Sequence, residues 1–261
     1  MALGLYIIGD EILSGKRQDK HFSRVQQLLA ARGMQLQWAQ YLGDDAQVLR
    51  DSLRASFERG DTVLSCGGIG ATPDDHTRAA AAAALGLPLE LHPEAAALIR
   101  QRIVTASLGE PESPANQQRL QMGTFPQGAQ IIPNPYNQIP GFFIREHYFV
   151  PGFPVMAWPM IEWVLDTRLQ HLQRPAGYLE RGLIVQGAME SELTPLMLRI
   201  EREHAQVKVY SLPSVDDAQW GRHIEIGVKG EPQCVQPAFD ALRQGLIELG
   251  ANLRTETVRS I

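Results

Sequence analysis

A doubly wound α/β domain followed by a small α+β domain is the fold class that this sequence predicts, on three observations. Short apolar strands alternate with amphipathic helices through residues 3–85. The third of these strands runs straight into a glycine-rich loop. From about residue 179 the order becomes strand, helix, strand, strand, helix, which is most of a split-βαβ unit. The expected domains are 1–172 and 173–261, with the junction near Arg174-Pro175-Ala176-Gly177.

Leu3-Gly4-Leu5-Tyr6-Ile7-Ile8-Gly9 is a continuous apolar run, the pattern of a strand covered on both faces. From His21 to Arg32, Phe22, Val25, Leu28 and Leu29 recur at helical spacing, and Gly33 ends the helix. Leu36 to Leu42 is expected as the second strand. Asp45 to Arg59 reads as an amphipathic helix with Val48, Leu49, Leu53 and Phe57 on one face and Gly60 behind it. Thr62 to Ser65 is the third strand, and an alanine-rich helix runs from about Arg78 to Leu85. A helix at 93–108, a strand at 130–132, the loop Pro133 to Gly141 and strands at 142–144 and 148–150 follow. Pro151-Gly152-Phe153-Pro154 then turns the chain into a helix at 155–169. In the second domain, strands are expected at 179–185, 207–212 and 223–228 and helices at 190–203 and 235–249, with 252–258 completing the split-βαβ unit.

Composition narrows the function classes. With 261 residues, 44% of them hydrophobic, the chain can bury a sizeable core. A formal net charge of -5, from 24 basic and 29 acidic residues, argues against a nucleic-acid-binding surface. Cys66 and Cys234 are the only cysteines and form no CxxC pattern, which suits a reducing cytoplasm. Ala2 to Ile8 reads as a first strand rather than a signal peptide. No apolar stretch approaches the roughly 18 residues of a membrane span, so no membrane contact is expected.

Chemistry concentrates in the loops. Ser65-Cys66-Gly67-Gly68-Ile69-Gly70-Ala71-Thr72-Pro73-Asp74-Asp75 joins a strand to a helix. Glycines let backbone N–H groups close around a large anion, and the helix behind them adds a positive field. Paired carboxylates can hold a divalent cation against a phosphate. The same run also fits a tight turn in which Asp74 or Asp75 caps the helix. Gly9-Asp10-Glu11-Ile12-Leu13-Ser14-Gly15 follows the first strand and Gly43-Asp44-Asp45 the second, both on the carboxyl rim where open parallel sheets bind ligands. Helix capping by Asp10, Glu11, Asp44 or Asp45 is the competing reading.

Asn134, Asn137, Pro140 and Gly141 make a loop whose amides can read a heterocycle edge, and Pro151-Gly152-Phe153-Pro154 can wrap a phosphate or stack on a ring. Both loops also fit ordinary turn chemistry. Lys16, Arg17, Lys20 and Arg78 can neutralise phosphates, and His21 and His76 can contact a ligand. The G-x-G-x-x-G, G-K-[ST], HExxH and G-x-S-x-G patterns are all missing. Ordinary dinucleotide dehydrogenases, P-loop ATPases, zinc peptidases and serine hydrolases are thereby disfavoured.

Taken in order, these motifs carry a family resemblance. Ile8 to Gly15, Gly43-Asp44-Asp45, Gly67 to Asp75, Asn134-Pro135, Pro140-Gly141-Phe142 and Val150-Pro151-Gly152 span residues 3–165. In this combination the chain resembles the molybdopterin-binding fold of the molybdenum-cofactor biosynthesis proteins. It is most similar to the branch with the N-terminal part of the competence/damage-inducible protein A group and the first domain of some FAD synthases. The split-βαβ segment also resembles the small domain that follows in that group. Ala71 stands where that branch usually has proline, His21 where asparagine is common, and Val155-Met156-Ala157-Trp158 lacks the usual acidic start. The group's deamidase domain is not expected in a chain ending at Ile261.

The resemblance implies a three-layer α/β/α core in which the residues matching Asp44 and Asp75 serve a pterin-phosphate and Mg²⁺ site. Some relatives of that branch hydrolyse pyrophosphate bonds of ADP-ribose or FAD with a divalent metal. The expected ligand-binding residues are Gly9, Asp10, Glu11, Ser14, Gly67, Gly68, Gly70, Thr72, Asn134, Pro151 and Gly152. Asp75, Asp10 and Glu11 are expected to hold Mg²⁺ or another divalent metal, and Asp75, Asp44 and Asp74 to be catalytic. The expected partner is a small phosphorylated ligand, either a pyrophosphate substrate or molybdopterin bound without turnover. A homo-oligomer, most simply a dimer, is also expected. Leu179, Leu183, Val185, Val207, Val209, Ile224 and Ile226 form an apolar sheet face in a domain of modest core, although its two helices can cover that face alone.

Overall fold

Apolar runs without alternation become strands covered on both sides, and β1 (Leu3–Ile8) is buried along its whole length. The computed structural model describes residues 2–110, 112–173 and 179–260. Contacts divide the chain into one unit of Met1–Leu29 with Gln35–Leu172 and another of Ala30–Met34 with Gln173–Ile261. The junction expected at Arg174 to Gly177 lies outside the described residues.

In the first unit, β1 leads through the single turn α1 (Asp10–Leu13) to α2 (His21–Ala30), which buries Val25, Leu28 and Leu29 as its spacing predicts. β2 (Trp38–Leu42) follows, starting two residues later than expected. The Asp45 carboxylate accepts the amides of Gln47 at 2.9 Å and Val48 at 2.8 Å and so caps α3 (Ala46–Arg59), which Gly60 ends in a left-handed turn. Val48 lies outside the buried face that α3 makes from Leu49, Leu53 and Phe57. β3 (Thr62–Cys66) is fully buried and leads over the glycine loop to α4 (Thr77–Leu85). His76 stands at the α4 N-cap with no side-chain cap bond, so neither Asp74 nor Asp75 caps that helix.

The chain continues through β4 (Leu89–Leu91), α5 (Pro93–Thr105), α6 (Pro114–Leu120), β5 (Thr124–Pro126), β6 (Gln130–Ile132), β7 (Gly141–Ile144), β8 (His147–Val150) and α7 (Pro154–Thr167). The β4–β5 ladder and α6 escape a periodicity reading because three- and seven-residue elements contain too few repeats. Ser113 with Pro114 at the first helical position was the available signal for α6.

The main sheet has the order β2-β1-β3-β8-β7-β6. Its first four strands are parallel, and β7 and β6 complete it by antiparallel pairing. On one face Tyr6, Ile8, Val63 and Phe149 pack against Leu49, Leu53 and Phe57 of α3 and Ala80 and Ala81 of α4. Small alanine side chains let α4 lie close to the sheet. On the other face α2 and α7 are tied by the Arg24–Glu162 ion pair at 2.8 Å. The result is three layers, with four parallel strands ending on the same rim.

The second unit contains β9 (Leu179–Gln186), α8 (Glu190–Glu203), β10 (Val207–Asp217), β11 (Gly221–Gly230), α9 (Pro232–Glu248) and β12 (Asn252–Ser260). They form an antiparallel sheet of order β10-β11-β9-β12, a complete split-βαβ unit. β10 runs past the expected stop at Leu212 because Pro213 lies on an edge strand, where a missing N–H is tolerated. Leu183, Val185, Val207, Ile224 and Ile226 pack against Leu193, Leu196 and Ile200 of α8 and Val235, Phe239, Leu242 and Leu246 of α9. The unit's own helices thus cover the face on which self-association was expected.

At the amino ends of the strands a buried polar pair is locked into the first unit. His147 is 1% exposed, its ring stacks on Phe57 at 3.8 Å, and its Nε2 lies 2.8 Å from Ser56 Oγ. Ser56 Oγ donates to Leu53 O, so the imidazole N–H donates to Ser56. Burial pulls His147 from its ordinary 6.5 down to about 3, against the smaller opposing pull of Asp61. A depressed folded-state pKa gives stability that is whole above pH 6.5 and is lost as pH falls toward 3. The wild type should lose up to about 1.4 kcal/mol per pH unit through this residue below that point. Unfolding midpoints at pH 7 and pH 5 should show a smaller acid loss for His147→Phe, and equal losses in both proteins would refute the assignment.

Candidate ligand-binding site

The carboxyl ends of β1, β3 and β8 meet where the chain is too close-packed for side chains. Gly67 has φ +112°, and a Cβ there would lie 2.2 Å from Ile8 O. Its amide donates to Val150 O at 3.0 Å, joining the end of β3 to the end of β8. Thr77, wholly buried at the start of α4, donates from Oγ1 to Gly67 O at 3.1 Å and from its amide to Gly68 O at 3.0 Å.

Asp75 shapes the remainder of the loop. Its Oδ1 accepts the Gly70 amide at 2.8 Å, and its Oδ2 accepts the Thr72 amide at 2.8 Å and the Thr72 hydroxyl at 2.5 Å. A Cβ on Gly70 would stand 2.6 Å from Oδ2, so this approach needs glycine. Arg78 donates to the carbonyls of Ile69 and Gly70. Gln118 on α6 holds Ala71 O at 2.8 Å. Among the described residues, the amides of Gly68, Ile69 and Ala71 have no partner within the chain.

This loop walls a cavity of about 390 Å³. Of the residues expected to bind ligand, Gly9, Glu11, Gly67, Gly68, Gly70, Thr72, Asn134, Pro151 and Gly152 line it, with Asp44, Asp74 and Asp75. Asp10 and Ser14 do not. Asp10 exchanges hydrogen bonds with Asp44: its amide donates to Asp44 Oδ2 at 2.9 Å, and the Asp44 amide donates to Asp10 Oδ1 at 3.2 Å. Ser14 is an exposed residue closing α1. Of the Gly67, Gly68 and Gly70 amides expected to cradle phosphate, those of Gly67 and Gly70 have partners within the chain, and that of Gly68 has none among the described residues. Asn134 is buried, donates from Nδ2 to Ile139 O and accepts the Tyr136 amide at Oδ1, and so builds the 133–141 loop while lining the cavity.

Three wall residues had no signal in the sequence. Met122, Ile139 and Met156 come from separate segments and only the fold joins them. Phe153 was named within its loop, but its stacking under the Arg17 guanidinium at 5.9 Å was not. Lys16 and His76 do not line the cavity, and Arg78 serves the loop backbone instead of a phosphate.

Charge in the cavity is unbalanced toward acid. Asp44 is pushed above the usual carboxylate range, first by burial and then by repulsion from Asp10, Glu11 and Asp74, despite the amide it accepts. Asp74 is held below that range by donors beside it, its own backbone amide among them. Among the described residues no group of three His, Cys, Asp or Glu is placed to hold a metal, so Asp75, Asp10 and Glu11 do not form the expected ligand set. The donors nevertheless suit Mg²⁺ brought with phosphates, because that ion commonly takes only one or two carboxylates and keeps its waters. Repulsion around Asp44 is relieved by such a cation.

Asp75→Ala should free the Gly70 and Thr72 amides while leaving the sheet folded. Hydrogen exchange at those two amides is expected to accelerate by about tenfold or more, given about 1.5 to 3 kcal/mol for a hydrogen bond to a charged group. Unchanged protection in the variant would mean that Asp75 does not organise the loop.

Comparison with known proteins agrees with this geometry. The family described as "Probable molybdopterin binding domain" matches residues 4–171. A protein of Pyrobaculum calidifontis is 28% identical over 249 residues, 93% of either chain. A CinA-like protein of Citrifermentans bemidjiense is 33% identical over 203 residues, 76% of this chain and 47% of that one, so this chain spans about half of that relative. The crystal structure of the protein CinA from Thermoplasma acidophilum superposes with a TM-score of 0.55 and 25% identity, covering 63% of this chain and 96% of the other. By its three layers, its glycine loop and the match over residues 4–171, this chain belongs to the molybdopterin-binding domain family and is related to the CinA-like proteins.

Proposed function

We propose that the first unit binds a phosphorylated pterin of the molybdopterin type at the carboxyl rim of its parallel strands. One observation carries this reading. The 390 Å³ cavity joins the unpartnered amides of Gly68, Ile69 and Ala71 to an apolar wall of Met122, Ile139, Phe153 and Met156. Such amides bind phosphate oxygens, and such a wall covers a flat heterocycle. Arg17 lines the same space and adds positive charge. Asn137 Nδ2 donates one hydrogen to the Met156 sulfur at 3.3 Å, and its second can go to an acceptor on a ring edge. One or two of Glu11, Asp44 and Asp74 would hold a divalent cation with the ligand's phosphates, where it would neutralise charge and polarise phosphoryl oxygens.

A second reading is hydrolysis of the pyrophosphate bond in an ADP-ribose- or FAD-like ligand. The raised proton affinity of Asp44 favours it, because a more basic carboxylate is a better acceptor for the proton of an attacking water. Asp75 does not suit that role while both its oxygens hold the loop.

Calorimetry with molybdopterin and with ADP-ribose, with and without Mg²⁺, separates the readings. The expected outcome is molybdopterin binding that tightens with Mg²⁺, with no AMP released from ADP-ribose. Metal-dependent AMP release that falls about a hundredfold or more in Asp44→Asn would select hydrolysis, consistent with the usual contribution of a positioned base. Failure of every phosphorylated ligand to bind would remove both.

A further inference from the structure

Each amide that the glycine loop leaves without a partner belongs to a peptide whose carbonyl is held from the start of α4. The loop's peptides are trans, and a planar trans peptide points its N–H opposite to its C=O, so holding one end aims the other. Thr77 Oγ1 donates to Gly67 O at 3.1 Å, and the N–H of that peptide is the Gly68 amide. The Thr77 amide donates to Gly68 O at 3.0 Å, and the N–H of that peptide belongs to Ile69. Arg78 Nη1 donates to Gly70 O at 2.6 Å, and the N–H of that peptide belongs to Ala71.

The neighbouring peptides differ. Arg78 Nη1 also donates to Ile69 O, but the opposite end of that peptide, the Gly70 amide, donates to Asp75. The peptide after Ala71 is likewise held at both ends, by Gln118 and Asp75. Peptides held at both ends set the loop's shape, whereas those held at the carbonyl alone keep an amide for a ligand. Thr77 is wholly buried, so its hydroxyl serves the loop and not solvent. Gly68 admits that hydroxyl, since its φ is +67° and a Cβ would lie 2.1 Å from Thr77 Oγ1. A donor on a carbonyl also polarises the peptide and strengthens its N–H, most of all when the donor is charged.

We infer that Thr77 and Arg78 are positioning residues for the anion. The Thr77 hydroxyl aims the Gly68 amide and the Arg78 guanidinium aims the Ala71 amide at phosphate oxygens, and neither side chain touches the ligand. The inference rests on the phosphate site proposed above and deepens it by assigning individual amides to individual side chains. The Ile69 amide is aimed by the Thr77 backbone, which no substitution removes, so it is the internal reference.

Inorganic pyrophosphate with Mg²⁺ is the probe, added to the full chain while the amide resonances of Gly68, Ile69 and Ala71 are followed. In wild type all three amide protons should move downfield. Thr77→Val keeps the side-chain shape and loses the hydroxyl. The Gly68 response should then fall while those of Ile69 and Ala71 persist, and affinity should drop by about tenfold, as for one weakened bond to a charged group. Thr77→Ser should restore the Gly68 response and most of the affinity. Arg78→Met should lose the Ala71 response with a similar drop, and Arg78→Lys, which keeps donors and charge, should recover part of it. In wild type the Gly68 and Ala71 N–H vectors, read from residual dipolar couplings, should keep their directions when pyrophosphate binds.

Vectors that swing on binding overturn the inference, and that measurement needs no variant to fold. An equal loss at all three amides in Thr77→Val or Arg78→Met also overturns it, because it marks a general loosening of the loop. So does a Thr77→Ser protein no better than Thr77→Val. If pyrophosphate moves none of the three amides in wild type, the phosphate site itself fails. If it moves them and the variants respond as wild type does, the site stands and the positioning role falls.

Discussion

The Asp75 carboxylate is the contact on which the rest of the site depends. It gathers the Gly70 amide, the Thr72 amide and the Thr72 hydroxyl, and so bends the loop after β3 into a cup. Bonds from an ionised acceptor are about twice as strong as neutral ones. With Gly70 and Thr72 donating to Asp75 and Gly67 to Val150, the amides of Gly68, Ile69 and Ala71, residues that line the cavity, are left without a partner among the described residues. Arg78 completes the arrangement by drawing the Ile69 and Gly70 carbonyls onto its guanidinium. The carbonyls of Gly67 to Ala71 therefore all have donors within the chain, while three of the loop's amides have no acceptor among the described residues.

Around this cup the charge works in the opposite sense. Glu11, Asp44 and Asp74 line the same cavity as this loop, and burial together with repulsion from neighbouring carboxylates raises the proton affinity of Asp44. Carboxylates beside a phosphate cradle make sense when a cation accompanies the phosphate. Arg17 is the cationic side chain that the wall itself supplies. The reciprocal bonds of Asp10 and Asp44 join the loops after β1 and β2, so the acidic residues also hold the rim's shape. One carboxylate can orient the backbone while its neighbour meets the ligand, and their places along the chain do not distinguish them.

The second unit illustrates the same limit in packing. Its apolar sheet face allowed either self-association or cover by its own two helices, and Phe239, Leu242 and Leu246 of α9 with Leu196 and Ile200 of α8 fill it. Helix amphipathicity predicts that a face will be buried, but not against which sheet. His147 is a comparable case in the first unit. Nothing local marks it as buried, and Ser56, its hydrogen-bond partner, is 91 residues away.

Much of the first unit was legible because its determinants are local. Continuous apolar runs specify β1 and β3, helical spacing and a C-terminal glycine specify α3, and glycines beside carboxylates mark the loop after β3. The ordered motifs from Ile8 to Gly152 also carried the family, as the match over residues 4–171 bears out. Sequence alone thus determined the layered fold, the rim on which the loops gather and most of the cavity lining. Tertiary structure alone decided how each group is used. It turned Asp75 and Asn134 into loop builders, took Asp10 and Ser14 out of the cavity, and brought Met122, Ile139 and Met156 onto one wall. The physical reason is that residue type sets what a group can donate or accept. Which partner it meets depends on atoms contributed by distant segments, and only the folded chain brings those within about 3 Å of one another.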